Sequence, residues 1–398
     1  MTSIITHRVA IVGAGCTRFD ENFDQSYGDL IAEAAFEAFE EAGVGPRDID
    51  GAWLSTAFPD NTVYHGKAGH DLCEPLSLRG IPITRVSNFC GSAGDAVINA
   101  SQALLSGRHR CVLAMGVEKL RERSPRNSLV KMMVETLHPL YQKGFTAPGT
   151  FAVYANRMMA KIGLKREHLA KISAKNHCFG VHNPKAEYRI KMTYEDVLKS
   201  PMVVYPLTVM DCCPTTDGAA CVIMMRTEDA GAFNRDHILI RGLELYVSDG
   251  WDFPYFNPDN DFMHFSNLKA AAARMYRNAG ILNPLEEIDC SEVHDCFTIN
   301  EALTYEGLGF VDRIEDVPAA IDDGLFDEGG KVPVNTSGGL LSCGHPVGAT
   351  GLRMMYAIKA QLQEKAGGAQ VRNARLGLTE NMGGPASILA LSLLSRND

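Results

Sequence analysis

Four short segments hold the residue types that could make and break bonds to carbon. The first, Asn88-Phe89-Cys90-Gly91-Ser92-Ala93-Gly94, follows an apolar run at Ile83 to Ser87 that reads as a strand and precedes a helix predicted over Asp95 to Leu105. Cys90 then stands at a strand-to-helix elbow. The positive end of the helix dipole would lower its thiol pKa from about 8.5 and supply a thiolate near neutral pH. A cysteine in such a turn is either a nucleophile or a small buried filler, and this segment alone suits both. The second segment runs from Asn335 to Gly351 and sets His345 in a loop rich in glycine and proline before a helix. Such a loop holds an imidazole base still and lets a flat ligand lie against the chain. The third, His294-Asp295-Cys296-Phe297, follows a strand at Cys290 to Val293, and its two-residue spacing would put imidazole and thiol on one face of an extended chain. The fourth, Gly383-Gly384, offers peptide N–H donors for a developing oxyanion.

Three other patterns suggest chemistry and do not support it. Gly13-Ala14-Gly15 follows a strand as a dinucleotide fingerprint would, but Arg18 stands where a third small residue is needed, and the next helix begins too late to face a pyrophosphate. His65, His70 and Cys73 lack the spacing of a closed metal site, as does the adjacent pair Cys212-Cys213, so no metal is expected. Arg121, Arg123 and Arg126 fit a solvated face better than a phosphate contact.

The elements that would position these residues belong to an ordinary globular chain of 398 residues, 45% apolar and 22% charged. No run reaches the roughly 20 consecutive apolar residues of a membrane span. A net charge of −10 offers no field for nucleic acid. The eleven cysteines never form a CxxC pair, which fits a reducing compartment, and neither a signal peptide nor a C-terminal peroxisomal tripeptide is evident; a cytoplasmic location is expected. Ala42-Gly43-Val44 and Asp48-Ile49-Asp50 recur as Ala279-Gly280-Ile281 and Glu287-Ile288-Asp289, and 86–105 resembles 334–362 as strand, glycine-rich turn and helix. Two repeated α/β halves follow. The first would span 1–118 and be completed by 207–237; a mostly helical insertion, interrupted by prolines, would occupy 119–206; the second half would span 238–398.

Taken together, these motifs resemble the thiolases, and in particular the sterol-carrier-protein type. NFCGSAG matches the family's nucleophile motif, SGGLLSCGHPVGATG its histidine motif, and HDCF the form that marks that subfamily; DCCPTTDGAA from Asp211 also matches. The resemblance covers nearly the whole chain. It implies two repeated α/β core domains in a five-layer αβαβα sandwich, with the inserted loop domain covering the CoA and substrate site. It implies a homodimer or homotetramer, coenzyme A as co-substrate and no tightly bound cofactor. The sequence ends at Asp398 without the sterol-carrier domain of some relatives. By resemblance, Cys90 is the acylated nucleophile, His345 its base, His294 an enolate donor, and the peptide N–H groups of Cys90 and Gly383 a second oxyanion hole. One departure stands out: Asn381 occupies the place of the second cysteine of ordinary thiolases, and in the subfamily Cys296 takes over its acid/base work. The implied reaction is CoA-dependent cleavage of a 3-ketoacyl-CoA to acyl-CoA and acetyl-CoA or propionyl-CoA, or the reverse Claisen condensation.

The competing readings are an acyltransferase subunit that works with an OB-fold or synthase partner on a non-CoA acceptor, and a retro-aldolase or lipid-transfer scaffold on the same fold. Intact Cys296 favours the thiolase over the first, and Cys90, His294 and His345 together favour it over the second. Met132, Met133, Leu137, Tyr141, Phe145 and Met158 are candidates for the acyl pocket, although that composition also suits core packing.

Overall fold

In the computed structural model, which describes residues 7–58, 65–122, 146–248 and 257–397, the apolar runs form strands β1 (Val9–Cys16), β2 (Gly51–Ser55), β3 (Ile83–Val86), β4 (Cys111–Glu118), the hairpin β5 (Met202–Val204) and β6 (Leu207–Thr208), β7 (Gly218–Arg226), β8 (Ile238–Val247), β9 (Cys290–Val293), β10 (Leu376–Gly383) and β11 (Ile388–Ser395). The longer helices are α1 (Tyr27–Ala42), α2 (Ser92–Leu105), α3 (Ala147–Ile162), α4 (Arg166–Gly180), α5 (Ser266–Ala279) and α6 (Thr298–Gly307), and the short turn α7 (Gly339–Cys343) precedes α8 (Thr350–Leu362). Local sequence sets several ends. Ser26 caps α1 by accepting a hydrogen bond from Asp29 N, and Gly43 ends it at φ +66°.

Nine strands form one sheet in the order β3-β2-β4-β7-β1-β8-β11-β10-β9. Outward from the antiparallel β1–β8 seam, the first half runs β1-β7-β4-β2-β3 and the second β8-β11-β10-β9, followed by a parallel bridge from Ser291 to Val334. In both directions two antiparallel pairings are followed by two parallel ones. The duplication read from the sequence is thus a duplication of topology. Val334 stands where β3 stands in the first half.

Strand alternation assigns the layers. Val9 and Ile11 of β1, with Val112 and Ala114 of β4, face α2 and α8; Ala10, Val12, Leu113 and Met115 face α1. Ile238, Ile240 and Leu394 of the second half cover the same α2–α8 pair, and Leu389, Leu391 and Leu393 face α5 and α6. The layers are therefore α1, half-sheet, α2 with α8, half-sheet, and α5 with α6, the expected five-layer sandwich. The Gly13-Ala14-Gly15 motif serves this packing. A Cβ on Gly15 would lie 1.9 Å from Ala34 O, and one on Gly13 2.2 Å from Ala38 O, so α1 rests directly on the strand backbone.

In the insertion, Phe151, Tyr154 and Met158 of α3 are buried with Phe265, Leu268 and Phe297 of the second half. Met158 is core; Met132, Met133, Leu137, Tyr141 and Phe145 lie outside the described residues, as do Arg123 and Arg126. Arg121 pairs with Glu21, and its peptide N–H donates to Asp217 at 2.8 Å. Beyond the insertion, β7 lies between β4 and β1. Among the described residues no helix is long and apolar enough to cross a membrane, and all eleven cysteines are free thiols.

Candidate active site

Cys90 sits in the turn between β3 and α2. The helix begins at Ser92, three residues earlier than the sequence suggested, because the Ser92 hydroxyl accepts from Asn88 N at 2.7 Å and donates to Phe89 O at 2.5 Å. Asn88 Nδ2 also donates to Asp95 at 2.6 Å, which ties the turn to the first helical turn. Gly94 lets α2 touch β11, since a Cβ there would meet that of Ala390 at 2.3 Å.

The second half delivers its histidines to the same point. The Cys90 sulfur and one nitrogen each of His294 and His345 lie within 4.8 Å of one another, and the two imidazoles meet edge-on with centroids 5.0 Å apart. Among the described residues this is the only set of three His, Cys or acidic side chains so placed; His65, His70 and Cys73 form no such set. The Nδ1 atom of His345 is 2.7 Å from Thr350 Oγ1, which lies 3.1 Å from Pro346 O. Both bonds are satisfied when Thr350 donates to Pro346 O and Nδ1–H donates to Thr350, an assignment that leaves His345 Nε2 bare as a base. His294 is fixed through its backbone: its N–H donates to Glu380 at 2.9 Å and its carbonyl accepts from Asn300.

Burial controls the protonation states. The Cys90 thiol is pushed up to about 12, first by desolvation and then by the Glu118 carboxylate, against peptide N–H groups of Cys90 and Gly384 that favour the thiolate. This corrects the expectation drawn from the helix terminus: the low dielectric outweighs the dipole, and Cys90 rests as a thiol. His345 is held at about 3 by burial and by Arg353, and His294 well below the ordinary imidazole range by burial, His345 and Arg353. Both imidazoles are neutral at pH 7. Of the two peptide N–H groups that favour the thiolate, one is that of Cys90 itself and the other that of Gly384, next to Gly383.

Cys296 does not join the trio; burial keeps its thiol well above the usual range, and a thiolate at Cys213 or Cys90 would raise it further. Cys213 comes to the same place. Its N–H donates to Cys296 O at 3.0 Å, and Cys212 bridges Phe297, so the DCCP segment is zipped to HDCF. Asp295 caps α7, accepting from Leu340 N at 2.6 Å and Leu341 N at 3.2 Å. Asn381 is buried, and neither atom of its amide has a hydrogen-bond partner among the described residues.

Sequence reading missed Glu118. This carboxylate, 1% exposed, accepts from Thr56 Oγ1 at 2.8 Å, Ala57 N at 2.9 Å, Phe58 N at 3.0 Å and Gly348 N at 2.8 Å. The Ser55 hydroxyl holds Gly348 O at 2.7 Å. Together they clamp the His345 loop of the second half onto β2 and β4 of the first. An acid closing the wholly apolar run Cys111 to Val117 was the available signal.

The family thiolase, N-terminal domain, matches residues 9–228, and thiolase C-terminal domain-like matches 252–396. The chain belongs to the thiolase family. An acetyl-CoA acetyltransferase of Methanothermobacter thermautotrophicus is 34% identical to this thiolase over 389 residues, covering 98% of this chain and 99% of that protein. Human sterol carrier protein 2 is 34% identical over 408 residues, covering 96% of this chain and 71% of its own length. Among solved structures, the Ltp2-ChsH2(DUF35) aldolase superposes with a TM-score of 0.84 at 23% identity over 99% of both chains. Human mitochondrial 3-ketoacyl-CoA thiolase in complex with CoA does so at 0.73 and 16% over the whole of both. Similarity at that level speaks for the fold alone.

Proposed function

We propose that Cys90, His345, His294 and Cys296 carry out the thiolase-type acyl transfer of this chain, with a 3-ketoacyl-CoA as substrate and CoA as acceptor. The observation that carries the reading is the convergence of one thiol and two neutral imidazoles, drawn from both halves, within 4.8 Å. His345 Nε2 takes the proton of Cys90 as the sulfur attacks the 3-carbonyl carbon. Peptide N–H groups at Cys90 and at Gly383 or its neighbour Gly384 receive the oxyanion. The bond between C2 and C3 breaks, leaving an acyl group on sulfur and an enolate whose oxygen accepts from His294 and from protonated His345. Cys296 protonates C2 and releases acetyl-CoA, or propionyl-CoA where C2 bears a methyl. The Cys296 thiolate then takes the proton of CoA, whose sulfur removes the acyl group, and His345 returns its proton to Cys90. Each proton is accounted for, and the reverse sequence is a Claisen condensation. Asn381 cannot replace Cys296, because an amide neither gives up nor accepts a proton at neutral pH.

Incubation of the purified chain with acetoacetyl-CoA and with longer 3-ketoacyl-CoA esters, followed by peptide mass spectrometry, tests this. The acyl mass is expected on Cys90 and shortened acyl-CoA in solution when CoA is added; an acyl mass on Cys212 or Cys343, or on no cysteine, would sink the assignment.

The same experiment separates this reading from that of an acyltransferase subunit dependent on an OB-fold partner, which would not turn over alone. A homodimer or homotetramer fits the edge position of β3, whose outer side has no strand beside it among the described residues. The free thiols suit a reducing, cytoplasmic setting.

A further inference from the structure

Beside α8 lies a cavity of about 310 Å³, lined by Arg353 and Tyr356 of that helix, Asn183 and Lys185 beyond α4, Ser337, and Lys365 after the helix end. Among the described residues no acidic side chain lines it, in a chain whose net charge is −10. At its wall is an unusual guanidinium. Arg353 is 3% exposed; its Nη1 donates to Glu292 at 3.1 Å and to Ser337 Oγ, while Nε and Nη2 are buried with no hydrogen-bond partner among the described residues. Leaving charged donors buried and unpaired is costly, and a guanidinium presents its remaining N–H groups in a fork that matches two oxygens of one anion. Lys185 is held in place by Glu37 and Cys16 O, and Lys365, exposed at the rim, is paired with Asp236 at 2.9 Å and lies 3.9 Å from Glu41. Tyr356 adds an apolar wall.

We propose that this cavity is a second ligand site, taking a phosphate group as a monoester or as the free ion, with oxygens on Arg353, Lys185 and Lys365. A carboxylate has two oxygens for three cationic groups, whereas a phosphate monoester has three unesterified oxygens and the free ion four. The site is separate from Cys90 yet bound to the same framework: Arg353 lies one turn along α8 from Thr350, the partner of His345, and its partner Glu292 is two residues before His294.

Calorimetric titration of the full chain with inorganic phosphate and with phenyl phosphate tests this. Binding of one phosphate group per chain is expected; tighter binding of phenyl phosphate identifies an ester as the ligand, and equal binding identifies the free ion. Lys365→Glu should weaken either ligand about tenfold or more by setting a negative charge at the rim, with thiolysis unchanged. Arg353→Met should abolish binding. Absence of heat with both ligands, or unaltered affinity in Lys365→Glu, would each overturn the proposal.

Discussion

Glu118→Gln isolates the clamp that holds the His345 loop. The carboxylate accepts from Thr56 and Phe58 on one oxygen and from Ala57 and Gly348 on the other. In glutamine one of these oxygens becomes NH₂, which faces donors. In the better rotamer Thr56 turns its hydroxyl to accept, and the Phe58 N–H alone is stranded; in the other, both Ala57 and Gly348 lose their acceptor. Hydrogen bonds to a charged group contribute about 1.5–3 kcal/mol each, so one lost bond and weaker remaining ones give a destabilisation of about 2–4 kcal/mol. For a chain of this length that lowers the melting temperature by on the order of 5 °C. Loosening Gly348, three residues after His345, should reduce turnover by about 10², the usual consequence of misplacing a catalytic group by about an ångström. A third readout distinguishes this from general damage. Glu118 raises the Cys90 thiol, so its neutralisation should move the pH dependence of Cys90 alkylation by iodoacetamide to lower pH, although the protein is less stable. A Glu118→Gln protein that melts and turns over like the wild type, or whose alkylation profile moves to higher pH, would refute the reasoning.

Thr350→Val should leave His345 Nδ1 without its acceptor and let the ring adopt the other tautomer, with turnover down about 10- to 100-fold and little change in KM, since the tautomer and not substrate binding is disturbed. Because burial holds Cys90 at about 12 and His345 at about 3, alkylation of the free enzyme should be slow at pH 7 and rise steadily above pH 9, as thiol reactivity tracks thiolate fraction; a plateau by pH 7 would show a resting ion pair instead. Cys296→Ala should stop exchange of the acetyl-CoA α-protons with deuterated solvent yet still let Cys90 accept an acyl group; near-normal exchange in the folded variant would assign that proton transfer to another base.

The two halves and the segments that meet at the site were readable because each rests on a local signal, the repeat of strand, turn and helix and the motifs with functional residue types; the five layers were an implication of the family resemblance. The protonation state of Cys90 was not. A helix N-terminus is visible in sequence, but the burial that opposes it depends on β11 and on the loops around Glu118, far apart in the chain. Arg353 was unreadable for the same reason. Within a helix it looks like any charged residue, and only tertiary packing reveals that Glu292 and Ser337 hold it while two of its nitrogens go unpaired. Gly13 and Gly15 show the converse case, a motif whose chemistry was dismissed from spacing and whose packing role appeared only when Ala34 and Ala38 were set against it.

The duplication places a second buried glutamate where its opposite should be found. β4 and β10 are equivalent strands, each between a parallel neighbour and an antiparallel one, and near the end of each stands a glutamate that accepts peptide N–H groups from the loop after the parallel neighbour: Glu118 from Ala57 and Phe58 after β2, Glu380 from His294 after β9. One device thus positions elements of both histidines of the proposed site. Burial raises both carboxyls, but four donors oppose it at Glu118 and one at Glu380. Glu380 is completely buried, one of its oxygens has no partner among the described residues, and burial raises it to about 8. It is therefore an uncharged acid at pH 7, and glutamine is its near-isostere. A folded-state value raised above the unfolded one means that the associated stability is fully present below about pH 4.5 and is lost as pH rises through 8, by at most about 5 kcal/mol. Glu380→Gln should accordingly fold and turn over close to the wild type at pH 7 and escape the destabilisation that accumulates in the wild type from about pH 4.5 to pH 8, the contrary of Glu118→Gln. Melting curves of the two variants and the wild type from pH 5 to pH 9 decide it. If Glu380→Gln is as damaged at pH 7 as Glu118→Gln, then Glu380 is ionised in the native protein, and it serves His294 as a carboxylate does and not as a neutral acid.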